Sequence, residues 1–423
     1  MKQRFLHIWL IFFIIIFSIF PTLQVHAEKN AEVKNVIFMI PDGFSASYAT
    51  NYRLYKGKEA VWDTMLVGMH RTYSANTPVT DSAAAATAMA TGFKTNNGMI
   101  SIAPDGKKIK TILEVAKEAR KGTGLVATST ITYATPAAFG AHVISRKDES
   151  EIAVQYLDNE IDVLLGGGKT YFTSLLESGK QKGYEIVTNK TELSNVKMPQ
   201  KLLGLFAIEG MVPELDRHLT SEPSLEEMTK VALKMLNQNK AGFFLMVEGS
   251  QIDWAGHDND PAWAMKDIEA FEKAVEIAVD FAKKDKNTLV VIAGDHDNGG
   301  MSVGAYDKYD AKLDVLRKVK SSGRYMEMQL DKNRSNAKEI LKKHAGIDLT
   351  KAEVKRIEQA DKPVIAINRI VSERALIGWT TSQHTGVDIP VYAFGPGSEL
   401  FKGLHDNTDL PKMMAKVMGV NFP

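Results

Sequence analysis

Short runs rich in β-branched and other apolar residues recur along the chain at 35–40, 124–129, 163–165, 242–247, 288–293 and 389–394. They read as strands buried on both faces, the pattern of a parallel sheet covered by crossover helices. Between them, 111–121, 149–160, 224–237 and 261–284 carry apolar residues at three- and four-residue spacing, which predicts amphipathic helices. Together these predict an α/β fold with a doubly wound, mostly parallel central sheet flanked by helices. From about 305 to 364 the text turns Lys-rich and Met-containing. That stretch reads as a mostly helical insertion, with helices at 336–344 and 350–360 and its charges on a solvated face.

The first 27 residues follow a different pattern. Lys2 and Arg4 precede an almost continuous apolar run at 8–20, and Val25, His26 and Ala27 resemble an A-x-A cleavage site. This is the form of a secretory signal peptide, which leaves 28–423 as a single domain in a secreted or extracytoplasmic protein, free or held at the cell surface. No later segment holds about 18 uncharged apolar residues in a row, so none is predicted to span a bilayer.

Composition narrows the chemistry. With 44% hydrophobic and 24% charged residues in 423, the chain is of globular type rather than disordered, collagenous or polytopic. The balance of 52 Lys and Arg against 51 Asp and Glu lacks the basic excess of a dedicated nucleic-acid binder. The absence of cysteine excludes disulfides, thiolate zinc sites and a cysteine nucleophile, so any metal site must use His and carboxylates.

Three predicted strands finish in such groups. NVIFMIPDG delivers Asp42, FFLMVEGSQID delivers Glu248 and then Asp253, and LVVIAGDH delivers Asp295 and His296. Ligands of open parallel sheets bind beyond the carboxyl ends of the strands, where these residues can converge. Carboxylates meeting there repel one another unless cations neutralise them. Asp253 and His257 are one helical turn apart, and His384 precedes the run at 389. Mixed His and Asp ligands suit Zn²⁺ and an all-oxygen set suits Mg²⁺, so two kinds of metal site are implied. His70, His142, His218, His344 and His405 lack this context and read as structural.

Ser82 precedes an Ala-rich run closed by Gly92, which places it at a helix N-terminus, either as a plain N-cap or beside a bound anion. A serine nucleophile needs a base or metal, and no Ser/His/Asp arrangement is evident in the text. The GGGK at 166–169 lacks the spaced glycines of a phosphate-binding loop and reads as a turn.

Five separated stretches resemble the alkaline phosphatase family: PDG, TDSAAAATAMATG, ATPAAFGAHVISR, VEGSQIDWAGH with GDHDNGG, and TSQHTGVDIPVYAFGPG. The resemblance covers most of 35–300 and about 380–397. It implies a metal-dependent phosphomonoesterase acting on diverse small phosphate monoesters, with two Zn²⁺ and one Mg²⁺ per chain. By motif, Ser82 would be the nucleophile. Asp253, His257 and His384 would hold one zinc, and Asp42, Asp295 and His296 the other. Asp42, Thr135 and Glu248 would hold magnesium, with Asp42 bridging. Arg146, oriented by Asp81, would clamp the phosphate. Relatives are frequently homodimers, which the resemblance extends to this chain. Where the best-known enteric member has an aspartate and a lysine, this chain has Tyr133 and Trp254. Loss of that lysine implies weaker product binding. Two rivals are compatible with the same residues: a phosphodiesterase, phosphomutase or sulfatase of the same superfamily, and an exported protein that holds metal or phosphate without turnover.

Overall fold

The strand text is apolar at every position because both faces of the sheet are covered. In the computed structural model, which describes residues 33–423, NVIFMIP, FFLMVEG and TLVVIA are buried throughout. The leader predicted at 1–27 lies outside the described residues. Glu32–Pro423 clusters as one compact unit.

In chain order the strands are β1 (Asn35–Pro41), β2 (Leu66–Arg71), β3 (Gly122–Thr130), β4 (Val163–Gly167), β5 (Tyr184–Val187), β6 (Lys201–Leu205), β7 (Phe243–Gly249), β8 (Thr288–Ala293), β9 (Asp297–Asn298), β10 (Ser302–Val303), β11 (Ile377–Gly378), β12 (His384–Thr385), β13 (Ile389–Phe394) and β14 (Gly403–Asp406). Ten form one sheet in the order β14-β2-β13-β8-β1-β7-β3-β4-β6-β5, and β9 pairs with β12 and β10 with β11. Within the large sheet only β13 runs against its neighbours. The mostly parallel sheet expected from the sequence is therefore present. The alternation along β1 divides the core: Ile37 and Met39 join the helices Leu225–Leu236, Pro261–Asp285 and Pro363–Ala375 on one face. Val36, Phe38 and Ile40 join Ser82–Thr91, Ala134–Gly140 and Asp409–Met418 on the other. That is double winding.

Several expectations shift. The insertion holds four short helices joined by loops, Asp314–Arg317, Gly323–Met328, Ala337–Ala345 and Lys351–Glu358, rather than being mostly helical. Thr350 caps the last of these in a reciprocal capping box with Glu353, which starts the helix body one residue later than the pattern suggests. Nor is the insertion only a solvated face. Leu316, Val319, Met326 and Leu341 enter the main core, and Arg317 donates to the Tyr55 and Leu54 carbonyls. β2, β5, β6 and β14 carry no strong sequence signal: β2 and β14 are largely exposed, and β5 and β6 are runs of four and five residues interrupted by Glu185 and Gly204. The GGGK stretch ends β4 and turns at Gly168 into a short helix.

Candidate active site

Parallel strands share a carboxyl edge, so neighbours β8, β1, β7 and β3 deliver their last residues together. Asp42 follows β1, Asp295 follows β8, and Glu248 lies in β7 paired with Ile40 and Ala127. Thr135 comes from Ala134–Gly140, the helix after β3. The helix Gln251–His257 after β7 brings Asp253 Oδ2 within 3.4 Å of His257 Nε2, the pairing that four-residue spacing predicts. His384 arrives through β12, whose pairing sets it opposite Asn298 in β9.

Gly43 lets these segments close. It has φ +74°, and a Cβ there would stand 2.9 Å from the Asp253 Cα. Its N–H donates to Asp295 Oδ1 at 3.1 Å, tying the β1 and β8 ends together.

Two groups of metal-competent atoms result: Asp42, Asp295 and His296, and Asp253, His296 and His384, each set within 4.8 Å. His296 sits at their junction, its ring stacked on His384 with centroids 3.6 Å apart. His257 Nε2 stands 3.3 Å from His384 Nε2, and His384 Nε2 is 3.4 Å from Asp253 Oδ1. A third, all-oxygen group forms where Thr135 Oγ1 donates to Asp42 Oδ2 at 3.2 Å beside Glu248.

The donor chemistry fits cations. His257 Nδ1 faces the Ser382 carbonyl at 2.8 Å and His384 Nδ1 the Thr80 carbonyl at 2.9 Å. A carbonyl only accepts, so each Nδ1 carries a proton and each ring turns its Nε2 toward Asp253, the orientation of a metal-ligating imidazole. Nε2 atoms and carboxylate oxygens converging on one point can hold a positive ion between them. Asp42 Oδ1, Glu248 Oε1 and Asp295 Oδ2 are likewise buried without hydrogen-bond donors.

Electrostatics points the same way. Burial, reinforced by Asp295, Asp253 and Glu248, pushes Asp42 well above the usual carboxylate range, and burial pushes Glu248 up to about 8. Burial also opposes ionisation of Asp253 and Asp295, yet the histidines outweigh it and hold both low. Like charges about 4 Å apart repel by about 4 kcal/mol at an effective dielectric near 20, so four carboxylates need neutralising.

Ser82 opens the helix Ser82–Thr91 as its first residue. The plain N-cap reading of Ser82 is thus corrected, because Asp81 is the cap and accepts from Ala84 N at 3.0 Å. Ser82 Oγ is free for its 3.2 Å contact with His296 Nε2. Gly92 ends the helix at φ 77°, as its position suggested. Asp81 Oδ2 accepts from Gly98 N at 3.0 Å and Arg146 Nη1 at 3.1 Å. The Arg146 guanidinium lies over the Tyr133 ring, 4.8 Å from its centroid, and Tyr133 meets Trp254 edge-on at 5.7 Å. All eleven residues singled out for chemistry thus belong to one connected neighbourhood.

Sequence reasoning passed over Asn298, whose Nδ2 donates to Asp253 O and Oδ1 at 2.9 and 2.6 Å. Its place in GDHDNGG, two residues past His296, is the only signal. Asn97, which accepts from Asp81 N, had none. The other histidines bond elsewhere, His70 to the Gly294 carbonyl and His142 to Glu114.

The alkaline phosphatase family matches residues 33–420 of this chain. Alkaline phosphatase 4 of Bacillus subtilis (strain 168) is 44% identical over 417 residues, covering 92% of this chain and 90% of that relative. A cold-active alkaline phosphatase from the psychrophile Shewanella sp. has a solved structure with a TM-score of 0.85 at 36% identity, covering 91% of this chain and 99% of that one. A variant of the TAB5 alkaline phosphatase, solved with Mg bound in its M3 site, matches with a TM-score of 0.71 at 30% identity, over 93% of this chain and all of that one. The chain therefore belongs to the alkaline phosphatase family and is a phosphomonoesterase. The diesterase, phosphomutase, sulfatase and non-catalytic readings lose their support.

Proposed function

We propose that this phosphomonoesterase is exported, depends on metal ions and works through a phosphoserine at Ser82, releasing orthophosphate from diverse monoesters at alkaline pH. The convergence of three imidazoles and four carboxylates on the hydroxyl side of Ser82 carries the reading. Asp253, His257 and His384 would hold one Zn²⁺, Asp42, Asp295 and His296 a second, and Asp42, Thr135 and Glu248 one Mg²⁺. Cations held there would neutralise the carboxylates, lower the pKa of hydroxyl and water, and stabilise charge on the entering and leaving oxygens.

The chain's own groups do the rest. Ser82 is the attacking oxygen, held by its helix rather than by a flexible loop. The first N–H groups of that helix have no intrahelical acceptors and present the positive end of the dipole to a phosphate dianion. Arg146, fixed between Asp81 and the Tyr133 ring, offers paired donors to two phosphate oxygens. Water then takes the phosphoryl group from Ser82. An alkaline optimum follows from the need to deprotonate both the serine and that water.

Export rests on the leader pattern at 1–27, and no helix among the described residues is long and apolar enough to cross a membrane. Assembly as a homodimer belongs to the same reading and is tested by mass in solution. Acid quenching during turnover of a labelled monoester is expected to leave label on Ser82 and none in Ser82→Ala. Unlabelled wild-type protein during active turnover would overturn the phosphoserine route. Elemental analysis gives the metals, and the N-terminus of the exported protein is expected at Glu28.

A further inference from the structure

A cavity of about 730 Å³ opens beside His257 and the Ser382 stretch, and Ser82 is not among its walls. Its far side comes from the insertion and the helix after it, through Tyr306, Lys362 and Arg369. The volume is that of a small-molecule site.

Its charges are unevenly satisfied. The two acidic wall residues are already engaged: Asp258 with Arg324 at 2.5 Å, and Glu373 with Arg356 through two contacts at 2.8 and 2.9 Å. Lys362 and Arg369 are exposed, and neither pairs with an acid among the described residues. The wall therefore carries two cations with nothing to neutralise them, on a chain whose overall charge is only +1. Tyr306 and Trp379 are held in place beside them, the first by a 3.2 Å bond to the Ile377 carbonyl and the second by a 3.0 Å bond to Ser372 Oγ.

Resting on the phosphoryl-transfer reading above, the geometry points to this cavity as the seat of the leaving group, with Lys362 and Arg369 binding a second phosphate carried on it. In-line attack expels the leaving oxygen on the side of phosphorus away from Ser82. Ser82 touches His296, and the His384 and His257 rings continue outward from there to the cavity mouth. An aryl phosphate or other monoester with an uncharged leaving group gains little from the two cations, whereas a bisphosphate places a dianion against them. The breadth expected for diverse monoesters then holds for simple aryl esters, while bisphosphorylated ones are preferred.

The test compares a hexose bisphosphate with para-nitrophenyl phosphate on the metal-loaded enzyme. In Arg369→Ala combined with Lys362→Ala, kcat/KM for the bisphosphate is expected to fall about tenfold or more, chiefly through KM, because a charge-assisted contact is lost. The aryl ester is expected to change less than about twofold, since exposed charges at a distance are screened by salt. Arg369→Lys on the otherwise unchanged chain is expected to retain the preference, as the charge remains. An equal change for both substrates would mark general attraction of phosphate and overturn the proposal, as would no change for either. A wild-type enzyme inactive on the aryl ester would instead overturn the site reading on which the proposal stands.

Discussion

Ser82 and His296 meet through a single ring nitrogen. Ser82 Oγ lies 3.2 Å from His296 Nε2, the same atom that faces Asp295 Oδ2 at 3.1 Å and Asp42 Oδ1 at 3.5 Å, while Nδ1 is buried without a partner. A general-base relay takes the serine on one nitrogen and the carboxylate on the other. Here three oxygens crowd one ring nitrogen, the arrangement of a ligand set. His296→Ala is accordingly expected to lower bound zinc and to reduce kcat by about 100-fold or more. Unchanged metal content with lost activity would favour a base instead.

Asp81 combines two tasks that substitution separates. As N-cap it accepts from Ala84 N, and its other oxygen holds Arg146. Asn caps as well as Asp, so Asp81→Asn is expected to unfold within about 0.5 kcal/mol of wild type, whereas Asp81→Ala loses about 1 kcal/mol. Both weaken phosphate inhibition, because the guanidinium is no longer fixed by a charge. Denaturant titration and phosphate inhibition constants read the two effects apart.

Tyr133 supports Arg146 from below with its ring face. Cation–π contacts are worth about 0.5 to 2 kcal/mol, so Tyr133→Ala is expected to reduce kcat/KM several-fold to about 30-fold, and Tyr133→Phe to leave it nearly unchanged. Equal losses in both variants would assign the effect to the hydroxyl.

The His142 and Glu114 pair sets an acid-side stability window. Burial disfavours both charges, but their 2.9 Å hydrogen bond prevails, raising His142 and lowering Glu114 from their usual values. The raised histidine contributes fully below about pH 6.5 and loses its contribution as pH rises through its folded pKa. The lowered glutamate contributes above its unfolded value and loses its contribution as pH falls through its folded one. His142→Gln is therefore expected to lower Tm more at about pH 5.5 than at about pH 9, where the pair adds no charge term.

Chelation is expected to destabilise the protein as well as silence it. Asp42, Glu248, Asp253 and Asp295 are buried together, so removing neutralising cations restores their mutual repulsion. Ligand at about 100 times its Kd stabilises by about 2.7 kcal/mol, which calorimetry in chelator reads as a fall in Tm that Zn²⁺ and Mg²⁺ reverse. An unchanged Tm would mean that the groups hold no ion in the folded enzyme.

The central strands were legible because burial on both faces demands unbroken apolar text, and β1, β7 and β8 have it. Asp42, Glu248 and Asp295 were legible as candidates because a charged residue ending such a strand is conspicuous. β2 and β14 were not, since their side chains are mostly exposed or half-buried and such positions accept almost any residue. The insertion misled because Lys-rich text describes its outer surface and conceals Leu316, Val319, Met326 and Leu341, which enter the main core.

By itself, the sequence determined which elements form and which side chains end them: local propensity, capping and apolar periodicity act over a few residues and are written there. The meeting of Ser82 with His296, of Asp253 with Asn298 and of Arg146 with Tyr133 was decided only by the tertiary structure. Those contacts depend on strand order and on the β9 and β12 pairing, which join segments far apart in the chain. Local text does not encode such order, because it is selected by how all the apolar faces can be covered at once.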